Sequence, residues 1–88
     1  MIVEYSKKAG KDLDRLPADV AERIVKKMLW YGKQEDPLSF AKHLTTQRGK
    51  LYRFETGSYR AICTIRGGIE SVLFVLAVRD RKDAYWDF

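Results

Sequence analysis

Four arginines, one glutamate and one tyrosine carry the chemistry open to this chain: Arg53, Glu55, Arg60, Arg79, Arg81 and Tyr85. Guanidinium groups stay charged and hold phosphate oxygens as rigid forks. A carboxylate can take up a proton, and a phenol can give one or stack on a base. Much else is missing. His43 is the sole histidine and Cys63 the sole cysteine, so no imidazole or thiolate cluster exists to hold a metal. No carboxylate run resembles a two-metal site, no glycine-rich loop precedes a helix, and no serine has triad partners. Neither a metal nor a cofactor is expected. What remains is a metal-free cationic site. RNA can be cut without a metal, because its own 2′-hydroxyl attacks the adjacent phosphate. The protein must then remove the 2′ proton, steady the added negative charge and protonate the leaving 5′-oxygen. Paired arginines suit the second task. Glu55 could serve as base, though a facing guanidinium weakens it. Arginine itself is a poor proton carrier.

The same residues have plainer readings. Glu55 opposite Arg60 is what an ordinary cross-strand ion pair looks like. The run Arg79-Asp80-Arg81-Lys82-Asp83 is what a solvated charged segment looks like. Tyr85, Trp86 and Phe88 could pack on a core edge. On residue types alone both readings stand.

The element that must position these side chains is a hairpin from Leu51 to Arg66. Gly57-Ser58 suits a two-residue type II′ turn, with glycine supplying a positive φ at the first position. That turn sets Glu55 opposite Arg60, Arg53 opposite Ile62, Phe54 opposite Ala61 and Tyr52 opposite Cys63. Alternation then puts Arg53, Glu55 and Arg60 on one face and Tyr52, Phe54, Ala61 and Cys63 on the other. A second turn at Gly67-Gly68 leads to a strand over 69–78, pairing Ala61 with Phe74, Cys63 with Val72, Arg60 with Val75 and Ile62 with Leu73. Val72, Phe74, Leu76 and Val78 then face the core. Ile62, Leu73, Val75 and Ala77 form an apolar outer face, suggesting a groove or a partner. Parity carries Arg79 onto the face of Val75, and so of Arg60. It puts Lys50 on the core side.

Upstream, Ile2 to Tyr5 reads as an edge strand. Ser6 caps a helix through Leu16, with Ala9, Leu13 and Leu16 on one face. Pro17 separates it from a second helix over 18–31, whose stripe is Val20, Ile24, Met28 and Tyr31, widened by Ala21, Val25 and Leu29, with Gly32 as stop. Residues 38–44 suit a short helix with Phe40 and Leu44 inward, and 45–50 a loop. The expected fold is α+β: a small antiparallel sheet, an edge strand plus a three-stranded meander, with an N-terminal helical hairpin on one face, in the order β-α-α-β-β-β.

At 88 residues the chain reads as one domain, 1–88. Seventeen Lys and Arg against 12 Asp and Glu give +5, which favours an anionic partner. Eight of the nine lysines precede Leu51, whereas five of the eight arginines follow it, so the strand half is the expected recognition surface. No apolar run approaches a membrane span, an acidic residue at Glu4 argues against a signal peptide, and a lone cysteine fits a reducing cytoplasm.

Three stretches then carry a resemblance over nearly the whole chain: Leu44 to Leu51-Tyr52-Arg53, Gly57-Ser58-Tyr59-Arg60 entering a strand, and Val75-Leu76-Ala77-Val78-Arg79-Asp80-Arg81 followed by Ala84-Tyr85. They resemble the RelE/ParE superfamily of bacterial and archaeal toxins. The resemblance to its RelE branch implies a ribosome-dependent endoribonuclease that cuts mRNA in the A site without metal. It implies that Arg60 and Arg79 hold the scissile phosphate, that Tyr85 serves proton transfer or orientation, and that Arg53, Lys50 and Arg81 bind RNA. Glu55 stands where that branch has a second lysine, a reversal of charge. The resemblance further implies an acidic antitoxin as partner, beside ribosome and mRNA. A ParE-like inhibitor of DNA gyrase, and a decayed toxin that only binds its antitoxin, are the alternatives.

Overall fold

The computed structural model describes residues 1–47 and 49–82. Strand β1 (Ile2–Tyr5) leads into helix α1 (Lys7–Asp14) and helix α2 (Ala18–Lys33). A 3-10 turn (Pro37–Phe40) precedes β2 (Lys42–Thr46), β3 (Gly49–Thr56), β4 (Tyr59–Arg66) and β5 (Val72–Asp80). The architecture is α+β, with one five-stranded sheet in the order β1-β5-β4-β3-β2. It differs from the expected sheet in two ways. Residues 42–46 form a further strand rather than the end of a helix and a loop, and β1 joins β5 in parallel, so the sheet is mixed. His43, Leu44, Thr45 and Thr46 explain the first difference: β-branched and alternating residues beside β3 gain more from a ladder than from a short helix. Phe40 accordingly stays exposed and Leu44 pairs with Leu51.

Ser6 starts α1 as expected, its Oγ accepting from Ala9 N–H at 3.0 Å, and the helix stops at Asp14. Helix α2 buries Ile24, Met28 and Tyr31, while Val25 and Leu29 lie exposed instead of widening the stripe. Gly32 does not end α2. A Cβ there would meet Met1 O at 2.7 Å and the Val3 side chain at 2.8 Å, so glycine is what lets α2 approach β1. Tyr31 ties α2 to β3, its hydroxyl donating to Glu55 O at 2.7 Å.

The first hairpin has the expected register, with Tyr52, Arg53, Phe54 and Glu55 opposite Cys63, Ile62, Ala61 and Arg60. Its loop is Gly57-Ser58, with Gly57 at φ 67° and no positive φ at Ser58. The second hairpin does not. Residues 67–71 make a longer connection, so Arg60 pairs with Arg79, Ala61 with Val78 and Ile62 with Ala77; beyond a bulge, Cys63 pairs with Val75 and Ile65 with Leu73. Leu76 is the extra residue, and the bulge reverses parity along β5. Leu73 and Val75 therefore join Phe54, Ala61, Cys63 and Val78 in the core under the helices, correcting their placement on the outer face. Phe74 and Val72 fall on the outer face with Thr64 and Arg66, and the Arg66 guanidinium lies 3.6 Å from the Phe74 ring centre. The start of α1 satisfies the bulge. Ser6 N–H donates to Val75 O at 2.9 Å and Ser6 Oγ to Leu76 O at 2.8 Å.

Candidate functional site

The outer face, opposite the helices, is organised in rows that cross the strands. One row is Glu55 (β3), Arg60 (β4) and Arg79 (β5); the next is Lys42 (β2), Arg53 (β3), Ile62 (β4) and Ala77 (β5). Directly paired side chains lie about 5 Å apart at Cβ, so Arg60 and Arg79 start side by side. Arg79 thus shares a face with Arg60 as expected. It does so by direct pairing, not through Val75, which points the other way.

Two arginines in direct register repel unless anions neutralise them. Two carboxylates do this from opposite ends of the row. Glu55 Oε1 stands 3.1 Å from Arg60 Nε and 3.9 Å from Arg53 Nε. The 3.1 Å approach lies off the N–H direction, so it is an ion pair without a hydrogen bond, and the buried Nε atoms of Arg53 and Arg60 have no hydrogen-bond acceptor. Asp12, on α1, stands 3.7 Å from Arg79 Nη1. The arginine side chains are only 14–20% exposed, whereas Glu55 is 51% exposed. Arg53 is the cross-strand neighbour of Ile62, and Leu51, Ile62 and Ala77 are buried, contrary to the expected open apolar groove.

Asp12 is the charged partner of this row that the sequence pattern does not reveal. Its carboxylate is almost fully buried, accepts from Val78 N–H at 3.0 Å and pairs with Lys8 Nζ at 3.0 Å. Val78 N–H belongs to the part of β5 that β1 is too short to cover, so Asp12 both closes a sheet edge and bears on Arg79. A signal was present: Asp12 lies three residues after Ala9, on the apolar side of α1, where a carboxylate needs a partner.

The other expected residues are more scattered. Lys50 pairs with Thr45 and projects from the face of Tyr52 and Phe54, across the sheet from Arg53. Arg81 lies past β5, exposed, its N–H donating to Ser58 O at 3.0 Å beside the hairpin tip. Tyr85, with the terminal aromatics, lies outside the described residues. His43 is a strand residue, with Nε2 2.9 Å from Leu38 O and its ring edge-on to Tyr52. Cys63 is buried core, and burial pushes its thiol pKa well up, away from nucleophilic use. Among the described residues, no group of three or more His, Cys, Asp or Glu could hold a metal ion. No helix there is long and apolar enough to cross a membrane.

The fold, a sheet backed by two helices, has known counterparts. The family model for the ParE toxin of the type II toxin–antitoxin system parDE matches residues 3–85. The chain belongs to the ParE toxin family. Its fold is similar to that in the RelBE2 toxin–antitoxin complex of Mycobacterium tuberculosis, with TM-score 0.72, 22% identity, and 91% of this chain covering 96% of that one. It is also similar to the YoeB/ParE toxin of Agrobacterium tumefaciens, with TM-score 0.67, 16% identity and 91% and 98% coverage. A third similar structure is the archaeal RelE–RelB complex of Pyrococcus horikoshii, with TM-score 0.64, 24% identity and 91% and 93% coverage. At these identities the likeness is one of fold. No curated protein matches by sequence. The protein is a toxin of a type II toxin–antitoxin system, within the RelE/ParE superfamily.

Proposed function

We propose that this toxin is a ribosome-dependent endoribonuclease that cuts mRNA in the ribosomal A site and is neutralised by a cognate acidic antitoxin. The observation that carries the reading is the direct pairing of Arg60 with Arg79 on one face, with Arg53 in the adjoining row. Guanidinium forks so placed can hold the non-bridging oxygens of one phosphate and the charge added when the 2′-oxygen attacks. The 2′ O–H gives up its proton, the new 2′-O–P bond forms, and the P–O5′ bond breaks. The products are a 2′,3′-cyclic phosphate and a 5′-hydroxyl. Glu55, half exposed beside Arg60, is the carboxylate available to take the 2′ proton, and substrate phosphate would displace it from Arg53 and Arg60. The leaving 5′-oxygen takes up a proton, and Tyr85, to which the resemblance gives proton transfer or orientation, is the candidate donor. The toxin–antitoxin complexes of similar fold support the antitoxin partner.

The test is to add purified toxin to a ribosome programmed with a defined mRNA and map the new 5′ ends by primer extension. Cleavage at the A-site codon is expected from the wild type, with loss in Arg60→Ala and Arg79→Ala. Full cleavage by both variants would reject the site. A second reading, inhibition of DNA gyrase by binding, is favoured by one observation: Glu55 already engages Arg53 and Arg60 where a phosphate would have to bind. Loss of supercoiling by purified gyrase, with intact mRNA, would select it.

A further inference from the structure

On the helix side of the sheet a cavity of about 270 Å³ opens between α2 and the tip of the β3–β4 hairpin. Val20, Ile24 and Tyr59 give it an apolar lining, and Arg23 and Lys27, one turn apart on α2, bring two cations to it. Neither cation is neutralised well. Arg23 meets Asp19 only at 3.9 Å with both side chains in solvent. Lys27 lies over aromatic rings, its Nζ 4.5 Å from the Trp30 centre and 5.2 Å from that of Tyr31. The same flank of α2 continues to Trp30, seven residues after Arg23, which packs edge-on against Phe40. Trp30 and Phe40 remain 44% and 47% exposed. An apolar hole, two cations and an exposed aromatic pair thus form one strip, spanning ~10 Å along the helix from Arg23 to Trp30.

The cations select an anionic occupant, and the apolar parts select its kind. Single-stranded RNA needs open aromatic planes on which to stack its bases. Here Lys27 covers a face of Trp30, Phe40 meets Trp30 at 75°, and Tyr59 is the one aromatic among the described residues that line the cavity. A second copy of this chain would bring a like charge of +5. An acidic amphipathic helix satisfies all three parts: one apolar side chain enters the cavity, carboxylates meet Arg23 and Lys27, and a second apolar residue two turns on meets Trp30 and Phe40. We propose that this strip is where the antitoxin anchors, through an acidic amphipathic helix. The inference rests on the antitoxin reading above and adds the place: across the sheet from Arg60 and Arg79, so anchoring and the phosphate-facing row are separable by mutation.

The test is calorimetric titration of the purified toxin with the antitoxin encoded beside it. The double variant Arg23→Glu, Lys27→Glu should weaken binding roughly 100-fold. Arg60→Ala, on the other face, should stay within about threefold of the wild type. Both altered α2 side chains are exposed, so an unchanged melting temperature will show that the fold is intact. Wild-type affinity in the double variant, with loss in Arg60→Ala, would overturn the docking site and move the antitoxin to the arginine face. A single-stranded RNA of about 12 nucleotides that loses more affinity than the antitoxin does would overturn it in favour of nucleic acid. A wild-type toxin that binds no antitoxin would instead overturn the partner reading itself.

Discussion

The two faces of this sheet bury apolar side chains in different ways. Under the helices, Phe54, Ala61, Cys63, Leu73, Val75 and Val78 pack against Ala9, Ile24, Met28 and Tyr31. On the outer face, Leu51, Ile62 and Ala77 are also buried, but beside arginine side chains that are themselves only 14–20% exposed. One face is covered by secondary structure and the other by the side chains proposed to do the chemistry. Substitutions should therefore separate: the helix side should fail by unfolding, and the outer side by losing function in a folded protein.

Phe54→Ala presses this comparison hardest. Phe54 is fully buried, with the Tyr31 ring tilted against it 4.8 Å away centre to centre, and its loss should cost about 3–5 kcal/mol by urea unfolding. Next comes Arg60→Ala. It should lower A-site cleavage by a factor of roughly 100–1000, as expected when a donor to developing charge is removed. Its cost in stability should be only about 1 kcal/mol, from the loss of its apolar stem. Equal losses of stability at both positions would remove the distinction between the faces.

Asp12 is where the two sides meet, and its substitution sharpens the comparison. Asp12→Asn keeps an oxygen for Val78 N–H but removes the charge facing Arg79 and Lys8. Stability should fall by about 1–3 kcal/mol, as for a buried charge network left unbalanced. Cleavage should fall with it, and the effect on cleavage should vanish in an Arg79→Ala background. An undiminished effect there would mean that Asp12 acts only on the edge of β5.

How much of this was legible depended on whether the deciding interaction was local. The first hairpin was readable to the residue because Gly57-Ser58 fixes its own register. The second was not, since Gly67-Gly68 suggested a tight turn while the chain uses residues 67–71 and then absorbs an extra residue at Leu76. That bulge depends on Ser6, seventy residues away, and no local pattern encodes it. Gly32 showed the same blindness: glycine near a helix end suggested a stop, whereas the approach of Met1 and Val3 is its reason. For the candidate site, the arginines were legible from type and parity. Their counter-ion Asp12 was hidden because its partners, Val78 and Arg79, lie far along the chain.

The smallest expected effect concerns Tyr5, on the helix side. Its hydroxyl is buried without a hydrogen-bond partner. Its pKa is pushed from 10 up to about 12, first by burial and then by the neighbouring Cys63. Because the folded protein holds this proton more tightly than the unfolded chain, the neutral phenol contributes fully below pH ~10, and that contribution drains away as pH rises toward 12. Tyr5→Phe removes the titration and the unsatisfied hydroxyl together. Stability at pH 7 should change by less than about 1 kcal/mol. The alkaline decline between pH 10 and 12 should become shallower, though Cys63 and Tyr31, both pushed upward by burial, keep it from vanishing. Urea unfolding at stepped pH measures the slope. An identical slope in wild type and variant would show that Tyr5 is hydrated in solution, and that this edge of the helix-side core is wetter than its packing indicates.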